Sequence, residues 1–161
     1  MSRRVQISVI GGARGEEETL ADAEEVGRRI AEAGAVLVCG GRTGVMEAAS
    51  RGASDAGGTV VGVLPTTDHG DANPYVTHVI ATGIGQARNL AVVGSGDAVI
   101  AIGGEWGTLS EIAFARRLGR PVIALRSWQL QMRTGTDIGI VEKESAEEAV
   151  KAALSAAEPQ P

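Results

Sequence analysis

The stretch DAVIAIGGEWGTLSE, residues 97–111, joins an apolar run to a glycine-rich turn and to the start of a helix-like segment. The run 97–102 is typical of a buried strand, and the segment 108–118 has the spacing or composition of a helix. Free backbone amides at the start of a helix can hold an anion such as phosphate. The stretch therefore predicts a strand, a phosphate-binding turn and a helix in direct succession.

The same alternation of strand and helix extends along the chain in both directions. Apolar runs predict strands at 5–10, 35–39, 59–64, 76–81, 97–102 and 121–125, and a weaker one at 137–141. Helical patterns lie between them at 16–33, 44–56, 85–94, 108–118 and 145–156. This alternation predicts a Rossmann-like, doubly wound α/β fold with a mainly parallel sheet of about six to seven strands and helices on both faces. We expect one ligand-binding domain at 1–156 and a flexible tail at 157–161.

Composition narrows the classes of partner. The 161 residues carry a net charge of −5 and only 2% aromatic residues, which disfavours binding of polymeric nucleic acid. A small phosphorylated ligand stays compatible, because backbone amides bind phosphate without raising the net charge. No apolar stretch approaches the ~20 residues of a membrane helix, so we expect a cytoplasmic protein without a membrane partner. The single Cys39 and the isolated His69 and His78 predict no metal site.

Glycine clusters follow three of the predicted strands. In a parallel sheet the carboxyl ends of the strands form the binding crevice, so the three turns point to one site. Arg14 follows the first turn and either donates to a phosphate or is solvated. The glycines that we predict to approach the ligand are Gly12, Gly40, Gly41, Gly44, Gly103, Gly104 and Gly107.

Two familiar nucleotide-binding patterns are missing from these turns. The first turn reads GGARGEEE rather than G-x-G-x-x-G, and the second strand ends in Cys39 without an acidic residue, which disfavours a dinucleotide cofactor. A Walker A loop requires a lysine, yet Lys143 and Lys151 both lie near the C-terminus. The ligand is therefore expected to be a different phosphorylated molecule.

Arg88 and Glu111 are the candidate catalytic pair, since both are expected to face the crevice. The arginine could orient a ribose 5-phosphate, while the carboxylate assists cleavage of the bond to the base. Two alternatives stay open: Thr108 and Glu111 have the spacing of a capping box, and Arg88 could form a surface salt bridge. Trp106 stacks on a ligand base, closes the crevice or packs in the core.

Several motifs together resemble one known family. GGRTGVM (40–46), AGGTVVGVLP (56–65), ARNL (87–90) and the opening stretch resemble the LONELY GUY and molybdenum-cofactor-carrier superfamily over nearly the whole chain. The resemblance is strongest to the small bacterial carrier-like branch. It implies that GGRTGVM contributes Gly40, Gly41, Thr43, Gly44 and Met46 to the ligand site.

The enzymes of this superfamily release the base from cytokinin riboside 5′-monophosphates, and they require no cofactor for hydrolysis. The resemblance places their catalytic residues on Arg88 and Glu111, and their phosphate-holding residues on Gly104, Gly107 and Thr108. The chain departs from the enzyme motif at Gly85, Asn89, Gly103 and Glu105. The carboxylate of Glu105 would repel a phosphate unless it points to solvent or pairs with an arginine such as Arg42.

The carrier-like relatives more often read GGGxGTxxE, which Gly103 and Gly104 fit better, and they are thought to bind molybdopterin. The resemblance therefore implies binding of a phosphorylated nucleotide, such as a nucleoside monophosphate, or a pterin-type ligand, by a carrier or sensor. The alternative is a nucleoside 5′-monophosphate phosphoribohydrolase. The helix IAFARRLG (112–119) resembles the one through which relatives pair, so we expect a homodimer or larger homo-oligomer.

Overall fold

The computed structural model describes residues 3–158 and contains seven strands and five helices within them. The strands are β1 (Gln6–Gly11), β2 (Val36–Cys39), β3 (Val60–Leu64), β4 (His78–Ala81), β5 (Ala98–Ile102), β6 (Val122–Leu125) and β7 (Ile140–Lys143). The helices are α1 (Glu17–Glu32), α2 (Val45–Asp55), α3 (Arg88–Ser95), α4 (Trp106–Arg117) and α5 (Ala146–Ala157). Single turns of 3-10 helix lie at His69–Asp71 and Gly85–Ala87.

The strands form one seven-stranded sheet in the order β4-β3-β2-β1-β5-β6-β7, with all pairs parallel. Strand β1 lies between β2 and β5, so that Ile7 is opposite both Leu37 and Ala98. The chain winds outward from β1 in one direction and returns to begin the other half at β5. The predicted Rossmann-like, doubly wound fold is confirmed, and its strand order reverses between β1 and β5.

Two apolar clusters cover the two faces of the sheet. Ile7 and Val9 of β1 pack with α1, α2 and α5 on one face, whereas Ile10 packs with α3 and α4 on the other. Alternate residues of β1 are therefore buried on opposite faces, which explains why the run reads as continuously apolar. Cys39 is buried in the first cluster.

The observed start of α4 differs from the predicted one because of the local backbone geometry. Helix α4 begins at Trp106 rather than Thr108, because Glu105 is extended (φ −112°, ψ −171°) and forms its N-cap. Thr108 is the third residue of the helix, and its Oγ1 accepts a bond from the N–H of Glu105 at 3.4 Å, so the capping box is formed by Glu105 and Thr108. A capping box between Thr108 and Glu111 is therefore wrong.

The C-terminal helix extends into the segment predicted to be a tail. Ala157, predicted to open the tail, is the last residue of α5, and residues 159–161 of that tail lie outside the described range. No helix within residues 3–158 combines the length and the apolar character that a membrane span requires.

Candidate functional site

A cleft of about 420 Å³ opens where the strand order reverses, at the carboxyl ends of β1 and β5. We call it the β1–β5 cleft. The first glycine turn forms one wall and the start of α4 forms another, while α3 and Met46 of α2 close the remaining sides. Its lining residues are Gly11, Gly12, Ala13, Met46, Gln86, Arg88, Asn89, Glu105, Gly107, Thr108, Ser110 and Glu111.

Arg88 is the first residue of α3 and is only 7% exposed, although it lines the cleft. Its Nε is buried without a hydrogen-bond partner, and no carboxylate in residues 3–158 lies within 4.0 Å of its guanidinium. Burial lowers the pKa of Arg88, and the charge of Glu111 partly offsets that effect. The surface salt bridge considered for Arg88 is therefore wrong. A buried cation without a counter-ion is costly, and an anion bound in the cleft would relieve that cost.

Glu111 reaches the same cleft from the second turn of α4 and is 8% exposed. Burial raises the pKa of its carboxyl to about 8, against the opposing influence of the Arg88 charge. The carboxyl is therefore mostly protonated at neutral pH and can donate a proton to a group in the cleft. The structure thus brings the two predicted catalytic residues to one cavity.

The start of α4 presents Gly107 and Thr108 to the cleft. Thr108 is 2% exposed, and its hydroxyl is held by the N–H of Glu105. The carboxylate of Glu105 lies over the first glycine turn, since a Cβ built on Gly12 would be 3.3 Å from its Oε1. Arg42 is paired with Asp71, at 3.7 Å, and not with Glu105. The side chain of Glu105 is instead exposed at the rim of the cleft.

The second glycine turn (40–46) mainly contacts the first turn, and most of its residues do not line the cleft. Gly44 has a φ of +68°, and a Cβ on it would lie 2.4 Å from the carbonyl oxygen of Gly12. Oγ1 of Thr43 donates to the carbonyl of Ala13 at 3.0 Å, which ties the two turns together. Gly41 also has a positive φ, and its carbonyl accepts a bond from the N–H of Asn73. Only Met46 of this motif lines the cleft directly.

Besides Gly40, Gly41, Thr43 and Gly44, three more predicted residues are outside the lining of the β1–β5 cleft. Arg14 is exposed and is not part of its lining. Gly103 and Gly104 line a neighbouring cleft on the β6 side of the same loop. Apart from Glu105, the polar lining residues that the sequence did not predict as ligand contacts are Gln86, Asn89 and Ser110.

Local spacing could have identified two of those residues. Asn89 directly follows Arg88 and is 8% exposed, with its Nδ2 donating to Oε1 of Gln86 at 3.5 Å. Ser110 lies three residues after Gly107, which places it on the same helix face.

Residues 3–158 contain no group of three or more His, Cys, Asp or Glu side chains that could hold a metal ion.

The chain belongs to the SLOG cluster4 family, whose model matches residues 4–157. It is similar in structure to the molybdenum cofactor binding protein of Rippkaea orientalis, with a TM-score of 0.88 and 35% identity over 96% of this chain and 98% of that one. The molybdenum cofactor carrier protein of Chlamydomonas reinhardtii matches with a TM-score of 0.81 and 31% identity, over 95% and 98% of the two chains.

Sequence similarity extends to two further relatives. A protein of Archaeoglobus fulgidus is 47% identical over 122 residues, which is 76% of this chain and 80% of that protein. The cytokinin riboside 5′-monophosphate phosphoribohydrolase of Rhodococcoides fascians is 38% identical over 98 residues. That match covers 55% of this chain and 47% of the hydrolase, so it spans about half of each.

Proposed function

We propose that this SLOG cluster4 protein binds a small phosphorylated ligand, a nucleotide or a pterin-type molecule such as molybdopterin, in the β1–β5 cleft, as a carrier or sensor. The observation that carries the proposal is the buried guanidinium of Arg88, which lines the cleft without a carboxylate within 4.0 Å in the described chain. A volume of about 420 Å³ suits a small molecule.

The backbone offers further groups for an anion on the opposite wall. Gly107 and Thr108 of the first turn of α4 line the cleft, where the positive end of the helix dipole favours negative charge. Gly12 lines the cleft without a side chain, so a ligand can approach the backbone there. The turn itself also requires glycine, because a Cβ would lie 2.8 Å from the carbonyl oxygen of Arg14. The ligand phosphate is therefore expected to lie between the N-terminal end of α4 and the guanidinium of Arg88.

Two related solved structures support a role as a carrier. The two solved structures that are described as molybdenum cofactor binding and carrier proteins match nearly the full length of this chain at 35% and 31% identity. Molybdopterin would be the cargo of such a carrier, held through its phosphate.

A second candidate function is hydrolysis of a nucleoside 5′-monophosphate, and the raised pKa of Glu111, about 8, favours it. In this reaction the bond between C1′ and the base nitrogen breaks, and the electron pair leaves with the base. Protonated Glu111 donates a proton to the leaving base, water adds its oxygen to C1′, and the proton that this water loses returns to the carboxylate of Glu111. The products are free base and ribose 5-phosphate. Arg88 would hold the phosphate during this step.

One experiment separates the two functions. The purified protein is mixed with AMP, isopentenyladenosine monophosphate and a pterin phosphate ester, and both thermal stability and free base are measured. A rise in melting temperature without base release supports the carrier or sensor. Base release that Glu111→Gln abolishes supports the hydrolase. Neither effect with any of the three ligands would contradict the proposal.

We also propose that the protein forms a homo-oligomer through α3 and α4. Three large apolar side chains are 42–48% exposed here: Leu90 on α3, Phe114 on α4 and Leu118, which is the C-cap of α4. Light scattering should give at least a dimeric mass for the wild type, and Phe114→Glu should lower it. A monomeric wild type would overturn this part.

A further inference from the structure

A second cleft of about 440 Å³ lies on the other side of the loop that precedes α4. It is separated from the β1–β5 cleft by that loop, whose residues Gly103 and Gly104 line it. The remaining lining comes from the segment that follows β6. We call it the ring cleft, and its lining residues are Gly103, Gly104, Arg126, Ser127, Trp128 and Gln129.

Trp128 lines this cleft, and the other tryptophan of the sequence, Trp106, lies against it at the edge of the cleft. The rings of Trp106 and Trp128 lie with centroids 5.3 Å apart and planes tilted by 40°. Trp128 is fixed by its Nε1–H, which donates to the carbonyl of Glu105 at 3.2 Å, whereas Trp106 is 77% exposed. The core-packing alternative for Trp106 is therefore wrong. An exposed indole beside a fixed one offers an aromatic face on which a flat ring can stack.

The charge at the ring cleft disfavours an anion. Arg126 is the cation of the lining, and its guanidinium is paired with Glu18 at 2.8 Å and Asp22 at 2.6 Å. Its positive φ of 51° directs the chain from β6 into the cleft wall. Because two carboxylates already neutralise this guanidinium, a phosphate finds no free cation there. The cleft suits a flat and uncharged ring instead.

Ser127 supplies a hydrogen-bonding group in the same wall. Its Oγ is buried, with no partner in residues 3–158. An unsatisfied buried hydroxyl costs free energy. A polar ring edge in the cleft would satisfy it after a rotation of the serine side chain.

We propose that the ring cleft is a separate binding site for an uncharged heteroaromatic ring of the purine or pterin class, which stacks on Trp106 and Trp128 and bonds to Ser127. The site does not depend on Arg88 or Glu111. It could therefore be occupied whether or not the β1–β5 cleft binds a phosphorylated ligand.

The two indole N–H signals in the NMR spectrum of ¹⁵N-labelled protein report directly on this site, because the sequence has two tryptophans. Titration with adenine and with pterin should shift both signals saturably for at least one ring, with inorganic phosphate held at a constant concentration throughout. The Arg88→Met variant should give the same shifts. Thus failure of the function proposed for the β1–β5 cleft would not affect this result.

Variants test each contact. Trp106→Leu, which leaves the anchored Trp128 in place, should weaken ring binding by about fivefold or more, the range expected for loss of stacking. Tyr75→Leu, which removes an aromatic ring packed near Arg51, should not change it. Ser127→Ala should weaken binding without lowering the melting temperature of the free protein. Absence of saturable shifts with both rings, or equal affinity in Trp106→Leu, would overturn the proposal.

Discussion

A Cβ on Gly40 would lie 1.8 Å from Nη1 of Arg88, so the guanidinium rests directly on the backbone of the turn after β2. The same Cβ would lie 2.7 Å from Sδ of Met46. Gly40 therefore leaves the space in which Arg88 is buried, and Met46 packs beside it. This relationship links the second glycine turn to the cleft without placing most of that turn in its lining.

Gly40→Ala should displace Arg88 and lower both stability and ligand affinity. Overpacking of this kind typically costs about 1–3 kcal/mol. Urea denaturation measures the first effect, and calorimetric titration with AMP measures the second. Gly94→Ala is the matched control, because its Cβ would have Leu118 Cδ1 as its nearest neighbour, at 3.7 Å. Equal AMP affinity in Gly40→Ala and the wild type would contradict this role.

Glu111 should make the protein less stable as the pH rises. Its pKa is about 8 in the folded protein and near 4.5 when unfolded, so the folded state holds the extra proton between these values. The unfolding free energy of the wild type, relative to Glu111→Gln, should therefore fall from pH 4.5 to pH 8, by a few kcal/mol at most. Denaturation of both proteins across this range measures it. A difference that is flat with pH would refute the raised pKa.

Glu105→Gln should tighten the binding of AMP, because it removes a negative charge at the rim of the cleft. We expect about a twofold to tenfold gain at low salt, which shrinks as salt is added. Adenosine has no phosphate and should bind the two proteins equally. The matched control is Glu17→Gln, an exposed carboxylate outside the cleft lining. A gain of the same size for adenosine would show that charge is not the cause.

Any release of base should follow the protonation of Glu111. If the protonated carboxyl is the proton donor, the rate should be steady below its pKa and decrease as the pH rises through about 8. Base release measured from pH 6 to pH 9.5 tests this in the wild type. A rate that rises over the same interval would assign the carboxyl a different role.

The sequence predicted the fold because its signals are local and repeated. Apolar runs alternating with helical segments specify a doubly wound sheet, and β1 and β5 lie within one residue of their predicted bounds. The order of the strands depends on contacts between distant segments, which spacing does not encode. The start of α4 was misplaced by two residues, because an extended Glu105 serves as its N-cap.

The sequence predicted that Arg88 and Glu111 reach one cleft, but it did not predict that a second cleft opens on the other side of the loop before α4. Arg88 and Glu111 follow from motif spacing together with the topology of the sheet. By contrast, Gly103 and Gly104 face the ring cleft although they belong to the same motif as Gly107. That division depends on the segment after β6, which has no periodic pattern and whose place is set by the contact between Trp128 and Glu105.

The measurement that tests the central claim most directly is calorimetric titration of the wild type and Arg88→Met with AMP and with a pterin phosphate ester. A cleft that holds a phosphate through a buried arginine should give saturable binding of at least one ligand. Arg88→Met should weaken that binding by about tenfold or more, since charge-assisted hydrogen bonds are lost. Equal affinity in the two proteins, or no binding of either ligand to the wild type, would contradict the claim.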